Sequence, residues 1–159
     1  MPSISIEYVI LIPLLFSQVI VFPFVASTMT SSWHNSQRNI ELQGAADHLA
    51  STIQQLYLTI NSEDILAGDI NQTSPVPITV GFYPYNATGS LSNISENSVR
   101  VLTVTLTLDD VGNTATASAV LGDNVQWTDS IFRSNSADAY ITVNKAEDGM
   151  LTFSFGGSG

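Results

Sequence analysis

The chain has 159 residues, enough for one domain of ordinary size plus a long terminal segment, but not for two independent domains. Four Lys and Arg against 14 Asp and Glu give a net charge of -10, and the four bases (Arg38, Arg100, Arg133, Lys145) are scattered, so nucleic acid finds no basic stripe to bind. No cysteine is present, which removes disulfides and thiolate chemistry, and with charged residues at only 11% the surface must be wetted largely by 35 Ser and Thr, as suits an exported protein.

Residues 4–26 form a nearly unbroken apolar run carrying one charge, Glu7. About 20 such residues suffice to cross a bilayer. A carboxylate inside the run costs roughly 2.5–3.5 kcal/mol on insertion scales, so Glu7 requires a compensating role. A cleavable signal peptide fits poorly: the basic n-region is missing, the run is too long, and Val25-Ala26-Ser27 is only a passable cleavage site. Pro13 and Pro23 sit inside the run. Each removes a backbone donor, which predicts a kink or local melting of the helix at both positions. In lipid the freed carbonyls need neighbours, which points to a helix that packs against others.

Beyond the run, Leu42, Ala46, Leu49, Ile53, Leu56 and Ile60 recur at alternating spacings of 4 and 3 along one face, with polar residues between them. This predicts an amphipathic continuation whose stripe covers either the protein's own β domain or neighbouring subunits. A helix over 4–60 would be roughly 85 Å long at 1.5 Å per residue. A domain of this size has a radius of gyration of only about 13 Å, so such a helix cannot be buried within one subunit.

The opening Ser3-Ile-Ser-Ile-Glu7-Tyr-Val-Ile-Leu-Ile-Pro13-Leu-Leu-Phe16 resembles the processed N-terminus of type IV pilins and pilin-like proteins. The likeness is nearest to archaeal adhesive pilins and TadE-like pseudopilins, where a Glu followed by an aromatic opens the apolar helix and a proline follows. It covers about the first 30 residues. With Ser3 as first mature residue, Glu7 is the fifth, where that family places its glutamate, and the mature chain is expected to start within the first three residues. The resemblance implies a prepilin peptidase and a pilus assembly machinery as partners, insertion in the membrane before assembly, and polymerisation of identical subunits into a helical filament. Glu7, Pro13 and Pro23 are then the assembly residues. A carboxylate at Glu7 either pairs with the free α-amine of an incoming subunit or lies protonated or snorkelling at the membrane boundary.

From about Pro75 the period changes to 2. Leu102, Val104, Leu106 and Leu108 alternate with threonines; Ala115, Ala117, Ala119 and Leu121 with Thr114, Thr116 and Ser118. Ile141 and Val143, then Leu151, Phe153 and Phe155, do the same around a hairpin turn at Glu147-Asp148-Gly149. Asp109-Asp110-Val111-Gly112-Asn113 separates another pair. With Val76–Phe82 and Val125–Phe132 this predicts about six strands, antiparallel because the links are short. The expected fold class is α+β: a long N-terminal hydrophobic and amphipathic helix followed by a small antiparallel β domain, either a sandwich or one sheet packed on the helix. The segments are 1–30 for the membrane or filament-core helix, 31–62 for its amphipathic extension and 63–159 for the extracellular β domain.

Other signals are weak. His34 and His48 lie on the helix with no ligand-spaced partner. Asp109-Asp110 with Asn113, and Asp123 nearby, lack the spacing of an EF-hand and read as turn-forming acids. No phosphate loop or nucleophile elbow is present, so neither cofactor nor enzyme activity is expected. Asn71, Asn86 and Asn93 are glycosylation candidates in a loop-like stretch, 71–95, although their number is what composition alone would give. Tyr83-Pro84-Tyr85 reads as an exposed loop whose aromatics either stack on a sugar or a neighbour, or cap the local core. The expected function is a structural subunit of an extracellular pilus-like filament serving adhesion. The rival is a monomeric membrane-anchored β domain that binds a surface ligand.

Overall fold

Helix α1 spans Ser3–Ile60 and is followed, among the described residues, by eight strands. The computed structural model describes residues 3–73, 76–94, 99–137 and 139–156, with the side chains of residues 3–8 and 94 left aside. By their internal contacts the residues fall into two compact units, Met1–Gln37 and Arg38–Gly159.

The first unit is helix throughout its described length. The helix runs without interruption through Pro13 and Pro23, so the local melting anticipated from sequence does not occur. Each proline still deprives the carbonyl four residues earlier, at Val9 and Val19, of its amide partner.

The second unit holds two four-stranded sheets. One has the order β1(Gly68–Thr73)-β7(Tyr140–Lys145)-β8(Leu151–Gly156)-β5(Val125–Trp127); the other runs β4(Thr114–Leu121)-β3(Val99–Leu108)-β2(Tyr85–Ile94)-β6(Ile131–Arg133). The long strands are those whose apolar residues alternate. In β3 and β4 every residue of the predicted apolar set is buried, and the threonines between them line the other face. The buried faces of both sheets and the helix stripe share one core, in which Phe132 of β6 lies edge-on to Phe155 of β8.

Five expectations change. Among the described residues there are eight strands rather than six, and β5 pairs with β8 in parallel. Val76–Phe82 is not a strand: only Val80 bridges to Tyr83, because Pro77 has no amide to donate and Gly81 and Phe82 both adopt positive φ. Val125–Phe132 divides into two three-residue strands that belong to different sheets. The supposed loop 71–95 contains much of β1 and all of β2, the latter paired with β3 over ten residues. Its Asn, Ser and Gly content mimics a loop, but the long ladder offered by β3 outweighs local preference.

Helix residues 38–60 run alongside the edge strand β4 in the same direction. Asn113 Nδ2 donates to Asn39 Oδ1 at 2.6 Å, Gln43 Nε2 to the Thr116 carbonyl at 2.9 Å, and Asn124 Nδ2 to Asn61 Oδ1 at 2.8 Å. A helix laid along an edge strand blocks further pairing there. Lys145 Nζ donates to the carbonyls of Ile60 and Ser62 at 2.8 and 2.9 Å, satisfying the helix C-terminus with a positive charge where the helix dipole favours one.

Candidate functional site

Two stretches of α1 carry the residues singled out by sequence. In the first, every residue from Val9 to Gln37 is exposed, including Leu14, Phe16, Phe22 and Phe24. The stretch is long and apolar enough to cross a membrane. Three hydroxyls near its C-terminal end bond back onto the helix: Thr28 donates to the Val25 carbonyl, Thr30 to that of Ala26 and Ser31 to that of Ser27, at 2.8, 2.9 and 3.0 Å. Side chains that bond back onto their own helix demand less water, so these three positions tolerate lipid or a packed protein interior. Pro13 and Pro23 stand on this exposed stretch. The side chain of Glu7 lies outside the described residues.

In the second stretch the stripe is buried. Leu42, Ala46, Leu49, Ile53 and Ile60 are in the core cluster and Leu56 is half-buried against it. Ala45 and Ala50, absent from the sequence-derived stripe, join them, which widens the buried face.

The three sequons differ in geometry. Asn71 stands on exposed β1 and accepts a bond from Thr142 Oγ1 at 2.9 Å. Asn93 is exposed on β2. Asn86 is half-buried, and its amide nitrogen, the atom a glycan would occupy, donates to Asp109 Oδ1 at 2.6 Å. Asp109 is thereby occupied, and Asp110 sits at φ 65 in the turn between β3 and β4. Among the described residues no group of three His, Cys, Asp or Glu is placed to hold a metal ion. His34 and His48 are exposed on the helix, with His34 edge-on to Trp33.

Tyr85, expected on a loop, is fully buried and stacks with Phe132. Its hydroxyl donates to the Pro77 carbonyl at 2.7 Å, its amide donates to Ser134 Oγ at 2.9 Å, and burial pushes its phenol well above the usual tyrosine range. Along β2, Tyr85, Ala87, Gly89 and Leu91 face inward and Asn86, Thr88, Ser90 and Ser92 outward. Gly89 is required by contact: a side chain there would overlap the indole of Trp127, which reaches across from β5.

Sequence reasoning missed the turn before Tyr85. Val80 and Tyr83 exchange backbone bonds at 2.9 and 3.0 Å around a two-residue loop, Gly81-Phe82, with φ of 53 and 76. The Arg38 guanidinium lies 5.0 Å from the Tyr83 ring centroid, and the Arg38 stem fills the space beside Gly81. A Gly at the first central position was the available signal.

No family model, curated protein or solved structure matches the chain.

Proposed function

We propose that the chain is a structural subunit of an extracellular filament of the type IV pilus kind, serving surface adhesion. In this reading it is held in the membrane by its N-terminal helix before assembly and then joined to identical subunits through that helix. The resemblance of Ser3–Phe16 to processed pilins supports it and supplies a prepilin peptidase and an assembly machinery as partners.

The observation that carries the proposal is a single 58-residue helix with two surfaces. Residues 42–60 bury an apolar stripe against their own sheets, while residues 9–37 bury nothing. The apolar part, residues 9–26, calls for a non-aqueous surrounding, which in this reading the membrane supplies first and neighbouring helices supply afterwards. Lipid is as apolar as leucine, so the gain on assembly comes from close packing and polar pairing rather than from hydrophobic transfer. Ser5, Ser17, Ala26 and Ser27 provide small or hydroxyl-bearing positions, and Glu7 offers a carboxylate to a neighbour's α-amine.

Electron microscopy of material sheared from producing cells, with terminal sequencing of the same fraction, tests this. Filaments made of chains that retain residues 9–26 are expected. Release of the chain only as detergent-solubilised monomers would replace the filament with an anchored ligand-binding domain, and a mature chain starting at residue 27 or later would remove both.

A further inference from the structure

Phe82 is the most exposed large apolar residue described, at 98%, and it occupies a conformation that bulky side chains avoid, φ 76. Such a backbone persists only where its surroundings fix it, and strain of this kind concentrates at contact and ligand sites. Here the fixing is visible: the two backbone bonds between Val80 and Tyr83 close the turn, and Arg38 braces it from the helix. Asn or Gly would hold the turn without strain. The aromatic therefore does nothing for its own domain and is presented rigidly outward.

A complementary surface exists on the same unit. A groove of about 440 Å³ lies between the helix and the edge strand β1, floored by Leu56, Ile60 and Ile70 and rimmed by uncharged polar residues such as Gln55 and Gln72. On a chain of net charge -10, copies repel one another except where neutral surfaces meet. The turn from Val76 to Pro84 and the groove lining both carry no charge. Arg38, which braces the turn, and Leu56 to Ile60 are 18 to 22 residues apart on one helix, about 27–33 Å, so a chain cannot seat its own Phe82 in its own groove.

We propose that Phe82 of one copy inserts into the Leu56–Ile60–Ile70 groove of the next. This rests on the filament reading for its setting. A contact between two different patches of the same chain is heterologous, so it repeats from subunit to subunit without closing on itself as a two-fold dimer does. It would give the β domains a link of their own, additional to the helix bundle.

The chain has no cysteine, which makes the test clean. Full-length protein carrying both Phe82→Cys and Gln55→Cys is oxidised with copper phenanthroline in producing cells and resolved without reductant. A ladder of dimers, trimers and higher multimers is expected, with each single variant remaining monomeric. Absence of a ladder overturns the contact, and so does a dimer from Phe82→Cys alone, which would mean a symmetric pairing. Filaments seen by microscopy without a ladder would remove the contact and leave the filament; a ladder without filaments would do the reverse. In a second measurement, Phe82→Asn should leave the thermal midpoint of the domain unchanged or raised while lowering sheared polymer severalfold. A lowered midpoint, or native polymer yield, would show that Phe82 serves no partner.

Discussion

The two stretches of α1 are both helical, yet only the second finds cover for its apolar residues within its own domain. Residues 42–60 alternate buried and exposed positions, and the buried ones meet strands of the same chain. Residues 9–37 are exposed all round, so no face distinguishes itself as inward. Of these, residues 9–26 are hydrophobic nearly all round, the pattern of a helix inside a large assembly or a membrane, whereas residues 27–37 are mostly polar. In the proposed filament the first stretch is completed by neighbouring copies, whereas the second already meets strands of its own chain. Hydroxyls bonded back onto the helix at Thr28, Thr30 and Ser31 fit the first case, while Gln43, which donates across to the Thr116 carbonyl of β4, fits the second.

The sharpest way to break this contrast is to spoil the complete stretch. Ile53→Asp places a carboxylate where the wild-type side chain is wholly buried. Burying an unpaired charge ranks among the few substitutions that cost several kcal/mol. The β domain of the full-length chain in micelles should then lose its cooperative melt by circular dichroism. A retained melt would mean that the stripe is dispensable to its own sheets and is free to serve neighbours.

Spoiling the incomplete stretch should have the opposite pattern. Glu7→Ala removes a charge that costs roughly 2.5–3.5 kcal/mol in lipid, so membrane insertion is unchanged or improved. It also leaves a neighbour's amine unpaired, and breaking a buried pair costs about 3–5 kcal/mol. Polymer yield from cells should fall sharply while the β-domain melt stays put. Normal yield would assign Glu7 to the membrane boundary instead of to assembly.

How much of this was legible in advance depended on the strength of local pattern. β3, β4, β7 and β8 announce themselves because apolar and polar residues alternate over most of their length, and the stripe from Leu42 to Ile60 holds its spacing through five intervals. β2 hid behind Asn86, Gly89, Ser90, Ser92 and Asn93, residues that favour turns on their own and become a strand only through pairing with β3. β5 and β6 are three residues each, too short to show any period, and their assignment to different sheets is decided by tertiary contact. The Gly81-Phe82 turn was obscured because aromatic and β-branched neighbours imitate a strand. Among the candidate site residues, the stripe was readable and the sequons were not separable: only the bond from Asn86 to Asp109 distinguishes it from exposed Asn71 and Asn93.

A smaller effect isolates the sheets from the helix. Gly89→Val puts a branched side chain where the Trp127 indole already lies. Overpacking of this kind typically costs 1–3 kcal/mol. A lower thermal midpoint with unchanged helix content is expected from calorimetry and far-ultraviolet circular dichroism together. An unchanged midpoint would mean that Trp127 moves aside at no expense and that the two sheets are less tightly joined than the core implies.

Amide hydrogen exchange on detergent-free polymer sheared from cells addresses the central claim directly, with residues 42–60 as an internal reference for a helix packed in protein. Protection of residues 9–37 comparable to that reference, in the absence of both lipid and detergent, is the result expected if neighbouring copies complete the first stretch. Protection of residues 9–37 that appears only when lipid or detergent is present would contradict it and leave the helix as a membrane anchor.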